Sequence, residues 1–134
     1  QWIYYSLGLK GGVRDMSTVT GLRLTVRSDK ARMLRVDLES PANTAASLGI
    51  RKGWSVDVGP KTTVVELLLS EAAAPSWAED QKKDPHDPLA AVLKSVSGVA
   101  FDPDCVGRSS LGFLPEGVTD KGFVQIDDVE FFTK

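Results

Sequence analysis

Apolar and polar residues alternate with a period of two through most of this chain, the signature of half-buried β-strands. In "TGLRLTVRS", Leu22, Leu24 and Val26 fall on one face and Arg23, Thr25 and Arg27 on the other. "MLRVDLES" repeats the pattern, with Leu34, Val36 and Leu38 against Arg35, Asp37 and Glu39. "WIYYSLGL" groups Ile3, Tyr5, Leu7 and Leu9 opposite Trp2, Tyr4 and Ser6. "WSVDVG", "TTVVELLLS", "SVSGVAF" and "GFVQIDDVEFF" supply further strands, separated by turn-forming "LKGG", "RSDKAR", "VGPK" and "PDCVGRSS". One short helix is expected around "PLAAVLKS", after Pro88. Strands without interleaved helices disfavour a parallel sheet. The pattern predicts an all-β fold of two stacked antiparallel sheets.

The closing strand breaks the alternation. Val124 and Ile126 point one way, whereas Val129 and Phe131 would point the other. A bulge at Asp127–Asp128 returns both sets to the core and predicts that Ile126 and Val129 are buried together. Two adjacent carboxylates are costly to bury unpaired, so the pair needs solvent, an arginine or a cation.

Composition narrows the field. The length of 134 residues fits one domain, 1–134, with a real core. A formal net charge of -2, with no basic stripe, argues against nucleic acid as a partner. The apolar runs are too short for a membrane span. A lone cysteine, Cys105, excludes an internal disulfide framework and a multi-cysteine zinc site. The chain begins at Gln1 with no signal-like segment, which leads to the expectation that it is excised from a longer, multidomain chain.

The order of the segments "DMSTVTGLRLTVRSDKARMLRVDL", "TTVVELLLSEAAAPSW", "LKSVSGVAF" and "GFVQIDDVEFF" resembles the galactose-binding-like jelly roll of non-catalytic carbohydrate-binding modules, over about residues 1–132. Such domains usually begin with one or two further strands, often with an acidic segment. None precedes Gln1, and the expectation is a fragment or a reduced variant of that domain. Thr62 and Thr63 also stand where the family commonly has a tryptophan. The resemblance implies a jelly-roll β-sandwich, a polysaccharide or oligosaccharide partner and a secreted or cell-surface location. It further implies a structural calcium held in part by Asp127. Calcium takes six to eight oxygen ligands, and a solvated or salt-bridged pair at the bulge is the other account of these aspartates.

Candidate binding residues follow from sugar chemistry: C–H faces stack on aromatic rings, and hydroxyls pair with planar polar groups. Trp2, Tyr4, Trp54 and Trp77 are the rings to consider, each of which could equally pack into a core or cover an edge. Trp77, in the long loop "SEAAAPSWAEDQKKDPHDP", is the stacking choice, with a loop anchor as the alternative. Arg23, Thr25, Arg27, Arg35, Asp37, Glu39, Asp57 and Gln125 would line one polar face if their strands were neighbours. Arg23, Arg35, Asp37 and Gln125 are its binding candidates. The same row also reads as the solvated face of an antiparallel sheet.

Catalysis finds little support. His86 stands without a nucleophile at a useful spacing, and Glu79 and Asp80 lie in a polar loop with no apolar pocket to raise a pKa. Cys105 has no candidate base beside it, and "LKGG" lacks the rest of a phosphate-binding loop. The expectation is a non-enzymatic module tethering an attached enzyme or surface to a polysaccharide. The alternative is a structural or protein-interaction sandwich, since one fold serves many functions. An esterase or lyase fragment ranks below both.

Overall fold

The computed structural model describes residues 5–29, 31–42, 51–74, 89–105 and 124–134. They form seven strands: β1 (Tyr5–Gly8), β2 (Gly21–Ser28), β3 (Ala31–Glu39), β4 (Gly53–Asp57), β5 (Thr63–Leu68), β6 (Gly98–Cys105) and β7 (Val124–Phe132). A 3-10 turn spans Leu69–Glu71, and the expected short helix, α1, spans Leu89–Leu93. One sheet has the order β1-β6-β3-β4 and the other β5-β2-β7, and every pairing is antiparallel. Among the described residues no helix is long and apolar enough to cross a membrane.

The alternation read from the sequence is what closes the sandwich. Leu22, Leu24 and Val26 of β2 face Leu34, Val36 and Leu38 of β3 across the interior, all essentially inaccessible to water. Burying each such side chain favours folding by roughly 1.5–3 kcal/mol. Val99 and Phe101 of β6, Val56 of β4 and Val92 of α1 complete the same core. Trp54 belongs to it too: the residue is 8% exposed, and its indole N–H donates to the Leu68 carbonyl at 3.0 Å. That bond joins β4 of one sheet to the end of β5 in the other.

The bulge in the last strand is present, one residue on from the expected place. Arg23 pairs with Glu130 and Thr25 with Asp127, so Leu24 alone is opposed by Asp128 and Val129. Asp128 takes a left-handed backbone, φ 53, which aspartate tolerates better than most residues. The phase is thereby reset, and Val124, Ile126, Val129 and Phe131 all pack against the core while remaining partly accessible.

The expectation of one continuous polar face is not met. β2 and β3 follow each other in sequence but lie in different sheets. Their outward rows therefore point to opposite sides of the sandwich. Alternation is identical for strands that pair side by side and for strands that stack across a core, so the pattern alone does not distinguish the two.

Candidate functional site

The four-stranded sheet turns a polar, half-buried surface outward. Register sets its cross-strand rows: Ser55, Arg35 and Asp102 in one, Gly53, Asp37, Ala100 and Ser6 in the next, then Glu39, Gly98 and Gly8. Arg35 and Asp37 sit at the centre on β3, their side chains 16% and 15% exposed. Arg35 donates from Nε to Asp37 Oδ1 at 2.8 Å. Its Nη2 donates to the carbonyls of Ala73, at 2.6 Å, and Arg51, at 3.4 Å. Much of the guanidinium is thus committed within the protein. It fastens the segment after β5 to β3 and β4.

Burial pushes the Asp37 carboxyl above the ordinary carboxylate range, and neighbouring Asp102 adds to the shift. The charge and hydrogen bond of Arg35, and the charge of Arg51, oppose it without reversing it. Gly53, opposite Asp37, is required by space. A Cβ there would lie 2.0 Å from the Val36 carbonyl oxygen and 2.5 Å from Asp37 Oδ1. Its backbone also exchanges two hydrogen bonds with Ala73, each of 2.9 Å.

Beyond Asp37 the strand runs into a shallow cleft. Val13, Glu39, Ser40, Pro41, Arg51 and Ser97 line a volume of about 350 Å³. Ser6 donates its hydroxyl proton to Glu39 Oε1 beside it.

Arg23 and Gln125 stand on the other side of the molecule, on the outer face of the three-stranded sheet. Arg23 lies between Glu66 and Glu130, at 3.0 and 2.9 Å, with its guanidinium 4.6 Å from the centre of the Phe132 ring. Gln125 accepts from Arg27 at 3.3 Å and donates to Asp127 Oδ2 at 2.8 Å. Apart from Gln125–Asp127, which lie on one strand, these are exposed cross-strand pairs of the kind that contribute little individually.

Asp127 is exposed, with Gln125 as its hydrogen-bonded neighbour. Among the described residues no group of three or more His, Cys, Asp or Glu side chains is placed to hold a metal. These residues do not by themselves make a calcium shell.

Of the sequence-derived candidates, the structure brings Arg35 and Asp37 together and sets Arg23 and Gln125 apart from them. Trp77 lies outside the described residues, as do Trp2, Tyr4, Glu79, Asp80 and His86. Asp102, Ser6 and Arg51 join Arg35 and Asp37 on their side of the molecule; alternation with buried Val99 and Phe101 marks Asp102 as outward, whereas Arg51 precedes β4 with no periodic signal.

No family model matches the chain, and no curated protein matches it. Among solved structures it is similar to the family 11 carbohydrate-binding module of a cellulosomal cellulase of Clostridium thermocellum, with a TM-score of 0.57 at 12% identity, over 98% of this chain and 68% of that one. A second is the family 11 carbohydrate-binding module from Clostridium thermocellum in complex with a beta-1,3-1,4-mixed-linked tetrasaccharide, with a TM-score of 0.49 at 11% identity, over 98% and 88% of the two chains. At such identity the first likeness is one of fold. The antiparallel jelly-roll sandwich expected from the sequence is the arrangement found.

Proposed function

We propose that this domain is a non-catalytic carbohydrate-binding module that tethers what is attached to it to a neutral polysaccharide. The outer face of the four-stranded sheet, centred on Arg35 and Asp37, is the binding surface. The observation that carries the reading is the chemistry of that face. Asp37, Glu39 and Asp102 offer carboxylate oxygens, Ser6 and Ser55 offer hydroxyls, and Arg35 fixes the centre. Hydroxyls of a sugar donate and accept, so they match a surface that mixes carboxylates and hydroxyls. A polyanionic glycan would meet several like charges. The fold likeness to a carbohydrate-binding module of a cellulase is in keeping with this reading.

Trp77 is the proposed stacking residue. The described chain leaves the sheet at Ala74, three positions earlier, and three residues reach at most about 11 Å. Arg35 and Asp37 act as the polar centre. Arg23 and Gln125, on the opposite face, do not contact the same sugar. A structural calcium on Asp127 belongs to the same reading, with most of its oxygens supplied from outside the described residues. So do a secreted or cell-surface location and a multidomain parent.

Affinity electrophoresis through gels containing β-glucan, xylan, mannan or galactan, with pectate as the acidic control, tests this function. Retardation by a neutral polymer, at a Kd between micromolar and millimolar (about -8 to -4 kcal/mol), is expected, together with weaker retardation of Trp77→Ala at an unchanged Tm. No retardation by any neutral polymer would leave the protein-interaction sandwich as the better account.

A further inference from the structure

The cleft at the end of β3 adjoins the proposed sheet-face site, and its lining is unlike a solvated loop end. It combines an exposed apolar residue, Val13 (52% exposed), and Pro41 with acidic Glu39, basic Arg51 and the serines Ser40 and Ser97. We infer that this cleft is a subsite for one further neutral sugar unit of the polysaccharide held on the sheet face, an inference that rests on the carbohydrate-binding reading above.

Position supports it first. β3 carries Arg35 and Asp37 and then Glu39, followed directly by Ser40 and Pro41, so the cleft continues the sheet surface rather than opening elsewhere. Its lining is also built on main-chain bonds. Ser97 N–H donates to the Glu39 carbonyl at 2.8 Å, and the Ser97 carbonyl accepts from Leu9 N–H at 2.9 Å. Ser40 exchanges a hydroxyl hydrogen bond with Ser95 at 2.8 Å and accepts from Ala42 N–H at 3.0 Å. The Arg51 carbonyl is held by Arg35. Positioned walls lower the ordering cost that a ligand would otherwise incur.

Chemistry then selects the occupant. A phosphate or uronate would suit Arg51 but would face Glu39, and an amine would suit Glu39 but face Arg51. A neutral hydroxylated ring satisfies both, because its hydroxyls donate to the carboxylate and accept from the guanidinium. Its C–H surface meets Val13 and Pro41. The volume of about 350 Å³ lies at the small end of ligand sites, which run from about 300 to 1,000 Å³. A single unit of a longer chain therefore suits it better than a run of several.

The test uses the same neutral-polysaccharide gels with Val13→Asp and Arg51→Gln, against Ser55→Arg on the sheet face and Val64→Arg on the opposite sheet. Val13 is exposed, so its replacement keeps the fold, and an unchanged Tm verifies this. About tenfold weaker retardation of Val13→Asp and Arg51→Gln is expected, with Val64→Arg retarded like the parent. Parent-like retardation of both cleft variants, with Ser55→Arg released, would overturn the subsite and leave the sheet-face reading standing. A parent protein that no neutral polymer retards would overturn both.

Discussion

Arg35 and Asp37 are two positions apart on one strand, and their side chains close on each other at 2.8 Å. Residues i and i+2 share a sheet face, which places this ion pair at the middle of the outward surface. Because Arg35 also holds the carbonyls of Ala73 and Arg51, the charge centre and the segment after β5 form one unit. The pair gives the proposed binding face its shape as well as its charge.

Replacing Arg35 with alanine should therefore cost stability as well as any affinity. It removes a charge-assisted bond to a largely buried carboxylate and leaves two carbonyls without that donor. A loss of about 1.5–3 kcal/mol is expected, read as a lower urea midpoint at an unchanged slope. A midpoint equal to that of the parent would mean that solvent replaces the guanidinium without penalty.

Acid should act on Asp37 in the direction opposite to an ordinary surface aspartate. Burial raises its folded-state pKa above the unfolded value. The folded state binds this proton more tightly, so the contribution is complete below the unfolded pKa and lost as pH rises through the folded one. Asp15 runs the other way: the Ser17 hydroxyl and amide bonds lower its pKa, and its contribution disappears as pH falls through that lowered value. Urea melts from neutral pH down through the carboxylate range should show an acid-side gain that Asp37→Asn abolishes. The same slope in Asp37→Asn and parent would contradict the assignment.

The bulge makes a separate prediction. Asp128 holds φ 53, a region open to glycine and costly for a β-branched side chain. Asp128→Gly should stay within about 1 kcal/mol of the parent, whereas Asp128→Val should lose about 1–2 kcal/mol. Equal midpoints for the glycine and valine variants would argue against the left-handed conformation.

Much of this fold was legible in the chain because alternation reports a face directly. Leu22, Leu24 and Val26, and Leu34, Val36 and Leu38, are inward as their spacing required. The broken phase after Ile126 also located the bulge to within one residue, since a phase change marks a window and not a single bond. What alternation does not carry is which sheet a strand joins. Arg23 and Arg35 read as members of one face and stand on opposite ones for that reason. The contact from Arg35 to the Ala73 carbonyl, 38 residues away, had no sequence signal either, because a backbone acceptor is present at every position.

Calcium on Asp127 has a simple thermal test. A ligand bound to the folded state alone raises Tm by mass action. The calcium reading predicts that chelator lowers Tm, that added calcium restores it, and that Asp127→Ala is insensitive to both. Identical melts in chelator and in calcium would leave Asp127 with its bond to Gln125 as its described role.

The most direct measurement compares the two faces with the same substitution chemistry. Ser55→Arg places a long cation on the four-stranded face, and Val64→Arg places it at an exposed position on the three-stranded face. Retardation in the best neutral-polysaccharide gel should be lost for Ser55→Arg and retained for Val64→Arg, both at the Tm of the parent. Loss of retardation in Val64→Arg with retention in Ser55→Arg would contradict the account and move the site to the face of Arg23 and Gln125.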